Sequence, residues 1–278
     1  MHIEFDQVSR SYITIDEAKK QSGLRILLPE IAVPGPWFES CKGIFYVKGL
    51  EFIAVKGSNP GTPGIAIGMN DTQSQLVEWT GQSSLPVVVW NDELPRSHWI
   101  AQLHLAERLQ AEPALIPSNA EDRIRMFGLA NELMGENGMV WDYRLTMVPA
   151  GINAPGATPE QQALFRFLGD KYGYTEETGK HAMQRVCERI TMMDAQLSAQ
   201  KARGSKFLIG DTFSALDIYW ACACGLISPM DDARCPMATG MRSAYGQLDE
   251  ASDAALSDAL IAHRDFIYEE YLELPIVF

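Results

Sequence analysis

The chain is poor in cysteine, in histidine and in positive charge, and each scarcity removes a class of function. Its 278 residues include five cysteines and five histidines. The cysteines (41, 187, 222, 224 and 235) are odd in number and scattered, with no CxxC pair. That spacing builds neither a disulfide framework nor a zinc site, and it suits a reducing compartment, so a cytoplasmic location is expected. The histidines show no HExxH or other paired ligand spacing, and no metal is expected. Lys and Arg number 23 against 36 Asp and Glu, a net charge of −13 that disfavours nucleic acid and anionic membrane as partners. No apolar run approaches the length of about 18 residues that spans a bilayer. The opening MHIEFDQVSR carries acids where a secretory signal would carry an apolar stretch.

What is present is a globular composition, 46% hydrophobic, laid out in two patterns. In the first, short extended runs alternate with helical ones. LRILL (24–28) stops at Pro29 as a buried strand would, and Trp37–Lys48 places apolar residues at helical period before Gly49. LEFIAV (50–55) and VVVW (87–90) read as further strands, with a short fourth segment at Leu94. Ser97 is placed to cap a helix over 98–109. The Gly/Pro-rich 56–75 stretch reads as a long loop. From Ser118 onward the pattern is helical, with helices expected over 120–147, 159–172, 176–202, 215–226 and 252–271. The expected organisation is an extension over 1–23, a small α/β domain over 24–111, a linker over 112–119 and an all-α bundle over 120–278.

The most specific local signal is FLIGDTFSALDIYWAC (207–222). Ser214 precedes an apolar-periodic segment and Asp217 stands three residues later, the spacing of a capping box in which each side chain serves the other's backbone N–H. Its role is structural. GDTFSALDI closely resembles the capping-box motif of the cytosolic glutathione transferase superfamily. In the same order, GPWFESCKGIFYVKGLEF resembles that superfamily's first helix and second strand, and SLPVVVW its cis-proline segment and third strand. LPRSHWIAQLHLAERL resembles its short strand and third helix. The resemblance covers roughly residues 24–271. It implies the glutathione transferase fold, a thioredoxin-like α/β N-terminal domain followed by an all-α C-terminal helical bundle.

It also implies glutathione as co-substrate, a small, mainly apolar electrophile as second substrate, and a homodimer. Leu85, before Pro86, would pair with the cysteinyl backbone of glutathione, and Ser97 would receive its γ-glutamyl carboxylate. Arg96 stands where the superfamily usually has Glu or Gln, and a glutathione carboxylate is its expected partner. The thiol would lie near Pro36 and Trp37 at the start of the first helix. The position that carries the superfamily's thiol-activating Ser or Cys falls on Gly35, which leaves helix N–H groups, the Trp37 indole or Ser40 as thiol donors.

Cys41 shares a helix stripe with Phe38 and Phe45 and is expected to be a buried apolar filler; a Cys41 disulfide oxidoreductase is the weaker alternative. Gly135 and Gly138, inside the expected 120–147 helix, make room either for a substrate beside Met134, Trp141 and Arg144 or for close packing. The alternative to a transferase is a non-catalytic binding or assembly module on the same fold.

Overall fold

A computed structural model describes residues 9–57, 71–237 and 242–278. The chain folds as two compact units, one of Met1–Leu115, Met230–Arg242 and Tyr268–Phe278, the other of Ile116–Pro229 and Ser243–Ile267.

In the first unit, β1 (Tyr12–Ile13), β2 (Leu24–Leu28), β3 (Ile53–Lys56) and β4 (Val87–Trp90) form one sheet in the order β1-β3-β2-β4. β1 runs parallel to β3, β3 parallel to β2, and β4 antiparallel to β2 with Leu27 opposite Val87. The helices are α1 (Ile15–Ala18), α2 (Pro36–Val47), α3 (Asp71–Thr80) and α4 (Trp99–Leu109). All five residues of β2 are buried, as a strand covered on both faces requires. On one face Leu27, Val55, Val87 and Val89 pack with Ile15, Ala18 and Leu76 from α1 and α3. Ile26 and Val88 alternate to the other face and are fully buried, and α2 packs on α4.

The 1–23 stretch, expected to be an extension, contributes β1 and α1 to this unit. Thr14 and Glu17 form a capping box that starts α1 directly after β1. The buried Arg25 guanidinium donates to the Ala18 carbonyl at 3.0 Å, to Gln21 O at 2.6 Å and to Asn91 O, tying this segment to the central strand. No apolar period marks so short a strand and helix; a buried cation that donates to carbonyls of the α1 segment ties them to β2. Residues 230–242 and 268–278, expected in the helical domain, also join this unit. There Arg10 N donates to Phe278 O and Lys42 Nζ to Val277 O, each at 2.7 Å. The expected 56–75 loop is shorter: its last residues open α3 and Lys56 closes β3, while 58–70 lie outside the described residues.

The second unit contains α5 (Ala120–Met134), α6 (Met139–Ile152), α7 (Pro159–Tyr172), α8 (Glu176–Lys180), α9 (Ala182–Ala202), α10 (Ala215–Ile227) and α11 (Glu250–Ala255), and most of α12 (Asp258–Tyr271). The single helix expected over 120–147 is two. Gly135 ends α5 and Gly138 caps α6. A Cβ on Gly135 would lie 2.7 Å from Asn131 O, and one on Gly138 2.8 Å from the same oxygen. The glycines serve a tight turn, not a substrate.

Every residue of α10 is buried. The Asp217 carboxylate accepts from Ser214 N and Leu208 N at 2.9 Å each and from the Ser214 hydroxyl at 3.0 Å, and it pairs with His263 Nε2 at 3.0 Å. The capping box is therefore one part of a larger knot that binds the 205–214 loop and α12 to α10. Asp142, fully buried on α6, is likewise satisfied by the Arg185 guanidinium at 2.6 to 3.0 Å.

Cys41 is 1% exposed on the inner face of α2, and burial pushes its thiol far above the ordinary range. Burial likewise pushes Cys224 and Cys235 up to about 12. Cys222 is buried too, and Cys187 alone is half-buried. A thiol reagent at pH 8 is therefore expected to label one of the five cysteines in the native protein and the rest only in denaturant. Rapid labelling of Cys41 would contradict this. Replacing Ser214 with Ala is expected to lower stability by about 1 kcal/mol. Asp217→Ala, which strips buried donors of a charged acceptor, is expected to lower it by about 3 kcal/mol or more. Urea unfolding of both variants checks the ranking.

Candidate functional site

Strand register sets the location of the candidate site. Because Leu27 faces Val87 across the antiparallel β2–β4 pair, the Leu85–Pro86 segment emerges beside the C-terminal end of β2. From that same end the chain passes through residues 29–35 into the N-terminus of α2. The Leu85–Pro86 bond is cis. The Pro86 carbonyl accepts from Gln102 Nε2 at 3.1 Å, and the same amide donates to Arg96 O at 3.2 Å, which fixes the 96–97 turn against the start of β4. Arg96 also bridges Val88 through both backbone groups, the remnant of the fourth strand expected at Leu94. Pro36, Trp37, Leu85, Pro86, Arg96 and Ser97 are thus carried by segments around the adjoining ends of β2 and β4.

Their individual chemistry differs from the expectation at three places. Ser97 is not the cap of α4. His98 holds that position, with its Nδ1 accepting from Ile100 N at 3.3 Å. Ser97 stands one residue earlier, and its hydroxyl meets Gln82 Oε1 at 2.9 Å. Gln82, which follows α3, was not identified in the sequence. Nothing in its local pattern marks it, because its partner lies 15 residues away.

Arg96 is not available as a lone cation. Its guanidinium donates to Glu93 at 2.6 Å, and Arg108 donates to the same carboxylate at 2.6 and 2.8 Å. These two arginines hold the Glu93 carboxyl below the usual carboxylate range through hydrogen bonds, Arg108 contributing most.

At the start of α2, Gly35 is the N-cap and Pro36 the first helical residue, where a missing N–H and a fixed φ are no loss. A Cβ on Gly35 would sit 2.2 Å from the Phe38 ring, so the space of a side chain at 35 is taken by Phe38. Ser40 is 1% exposed and its hydroxyl donates back to Trp37 O at 3.1 Å, inside the helix. It is not a thiol donor. Trp37 is half-buried in the first turn. Glu39, also in that turn, is buried and paired with Lys42 at 2.7 Å. Burial raises the Glu39 carboxyl, and the Lys42 ammonium opposes that rise. The positive end of the twelve-residue α2 is a local source of potential favouring an anion.

Among the described residues there is no group of three or more His, Cys, Asp and Glu placed to hold a metal ion, and no helix is long and apolar enough to cross a membrane.

No family model matches the chain, and no curated protein matches its sequence. Solved structures do match its architecture. The beta-etherase LigF from Sphingobium sp. strain SYK-6 aligns with 88% of this chain and 99% of its own, at 17% identity and a TM-score of 0.53. A glutathione S-transferase from Methylobacillus flagellatus KT, solved with glutathione bound, aligns with 89% of this chain and 95% of its own, at 12% identity and a TM-score of 0.54. Glutathione transferase Omega 3C from Trametes versicolor aligns with 94% of this chain and 87% of its own, at 12% identity and a TM-score of 0.54. Taken with the four-stranded mixed sheet and the helical unit that follows it, these alignments show that the chain has the glutathione S-transferase fold, thioredoxin-like in its first unit and all-helical in its second.

Proposed function

We propose that the first unit binds glutathione and presents its thiolate to a small, mainly apolar electrophile. The observation that carries this reading is the convergence of the Leu85–Pro86 segment and the α2 N-terminus at one end of β2. Glutathione would lie across that end, its cysteinyl backbone along Leu85 and its γ-glutamyl carboxylate toward Ser97 and Gln82. Its thiol would lie at Pro36 and Trp37. A carboxylate displaces the Ser97–Gln82 contact and offers the hydroxyl a charged acceptor, the stronger kind of hydrogen bond.

Glutathione's thiol, near 8.5 when free, loses its proton to solvent under the positive end of α2. The thiolate sulfur then forms a bond to the electrophilic carbon as the leaving group, a halide or an alkoxide, departs with its electron pair. Conjugation, dehalogenation and ether cleavage share this step. No side chain at position 35 assists, so thiol activation rests on backbone and helix dipole, and a modest rate is expected. The same reading takes the active form to be a homodimer.

A second reading, a glutathione-transferase-fold module that binds without turnover, is favoured by two observations. Phe38 fills the side-chain space of position 35, and Glu93 engages Arg96.

Calorimetry with glutathione up to millimolar concentration, followed by turnover of 1-chloro-2,4-dinitrobenzene, separates the two. Saturable binding with turnover supports the transferase, binding alone supports the module, and no heat at all defeats both as glutathione-dependent proteins. Ser97→Ala is expected to weaken glutathione about tenfold, the worth of one charge-assisted hydrogen bond. Cys41→Ala is expected to leave both binding and turnover unchanged, and loss of either would restore Cys41 as a reacting group.

A further inference from the structure

Residues 276–278 return to the first turns of α2. Ile276 and Phe278 are 3% and 2% exposed. Ile276 N donates to Arg234 O at 2.9 Å, Lys42 Nζ to Val277 O at 2.7 Å and Arg10 N to Phe278 O at 2.7 Å. The Lys42 ammonium also lies over the Phe278 ring, 5.5 Å from its centroid. All of these groups belong to the first unit. Pro275, immediately before, is exposed, so the three residues form a short strap that leaves the surface at an exposed position.

The strap meets α2 across a narrow gap that Tyr12, Phe38, Glu39, Lys42 and Phe278 help to line, and the gap has no room for a water molecule. Phe38 touches both this gap and Gly35. The tip of its ring takes the side-chain space of position 35, with Cζ 2.2 Å from where a Cβ would stand. The Tyr12 hydroxyl is buried with no hydrogen-bond partner, and the gap admits no water to supply one. Burial pushes that hydroxyl far above its ordinary range, so it stays a donor.

The docked strap is thus held by a few bonds and one ring, and it is opposed by an orphaned donor that water would satisfy if the strap lifted. Lifting it also vacates the volume of a phenyl ring beside Phe38. Close-packed interiors do not keep such a void, and Phe38, half-buried as it stands, is the side chain placed to turn into it. We infer that residues 276–278 are a releasable strap that holds Phe38 over Gly35 when docked and uncovers the N-terminus of α2 when lifted. The inference rests on the reading of that end of α2 as the thiol site, and it gives the site a closed and an open form. A substrate that needs the space beside Gly35 binds the open form and so favours release of the strap.

Hydrogen exchange and NMR of 13C-labelled phenylalanine rings on the whole protein, without glutathione, test this. In the wild type the Arg10 and Ile276 amides are expected to exchange at least about a hundredfold faster than the Ile26 amide in β2, because the strap opens without global unfolding. Tyr12→Phe, which removes the orphaned donor, is expected to slow exchange at Ile276 by about tenfold. Phe278→Ala is expected to speed it and to shift the Phe38 ring resonances, assigned by their loss in Phe38→Leu, and Phe278→Leu to restore both. Strap amides as protected as Ile26, or exchange that Tyr12→Phe leaves unchanged, overturn the inference. So do Phe38 resonances that stay fixed in Phe278→Ala while the strap amides exchange faster. If Phe278→Ala does not fold, the wild-type and Tyr12→Phe measurements decide. Where glutathione supports turnover, kcat/KM for 1-chloro-2,4-dinitrobenzene is expected to rise in Phe278→Ala, and an unchanged or lower value overturns the inference. A wild-type protein that fails to bind glutathione overturns the thiol-site reading instead, and the strap is then decided by the exchange rates and resonances.

Discussion

Strand β2 has no free edge and no free face, and the first unit is arranged around that constraint. A strand buried on both sides has to be continuously apolar, as LRILL nearly is, and its one charged residue has to be compensated completely. Arg25 comes close to that requirement, donating from both Nη atoms to carbonyls of the α1 segment and of Asn91 with only Nε left unpartnered, so the residue that looks least suited to the core anchors the pieces that cover it. With β3 on one edge and β4 on the other, the positions where chain leaves β2 and enters β4 are forced together. The candidate glutathione site is a consequence of this pairing more than of any single side chain. That explains how a fold can persist at 12 to 17% identity.

The elements that were legible in the sequence are those whose signal is local. LRILL and VVVW are found where their apolar runs stand, and the Ser214–Asp217 box reads directly because its two partners are three residues apart. What was not legible depends on partners far along the chain. Tyr12 pairs with Ala54, Lys42 with the carbonyl of Val277, and Ser97 with Gln82, and no period or spacing announces such contacts. The Gly135–Gly138 turn was misread for a different reason. The helical period runs on through it, and the close approach of Asn131 O, which leaves no room for a Cβ at either glycine, shows only in three dimensions.

The departures around the candidate site have a common electrostatic form. Among the described residues, charged groups near it are engaged by neighbours: Arg96 with Glu93, and Glu39 with Lys42. Position 35 carries no side chain, and Phe38 covers the space. A site whose charged side chains are already engaged with one another would hold an anion chiefly by dipoles and hydrogen bonds, which are short-ranged and directional. Affinity then depends on backbone placement, which the β2–β4 register supplies, and much less on long-range attraction, which a protein of net charge −13 opposes.

Against that background the two charges of α6 show how one helix places charged side chains in very different surroundings. Asp142 is sealed by Arg185, with Arg189 3.7 Å away, and belongs to the packing of α6 on α9; removing Arg185 would leave the buried carboxylate its weaker partner alone. Arg144 is placed on a half-buried stripe, among hydroxyls and rings that solvate a cation without cancelling it. A tyrosine-lined cation keeps its charge and its directionality, whereas a carboxylate partner would consume both. The two residues differ in which way the helix turns them, and 200° of rotation separates a charge that holds the bundle from one on a half-buried surface.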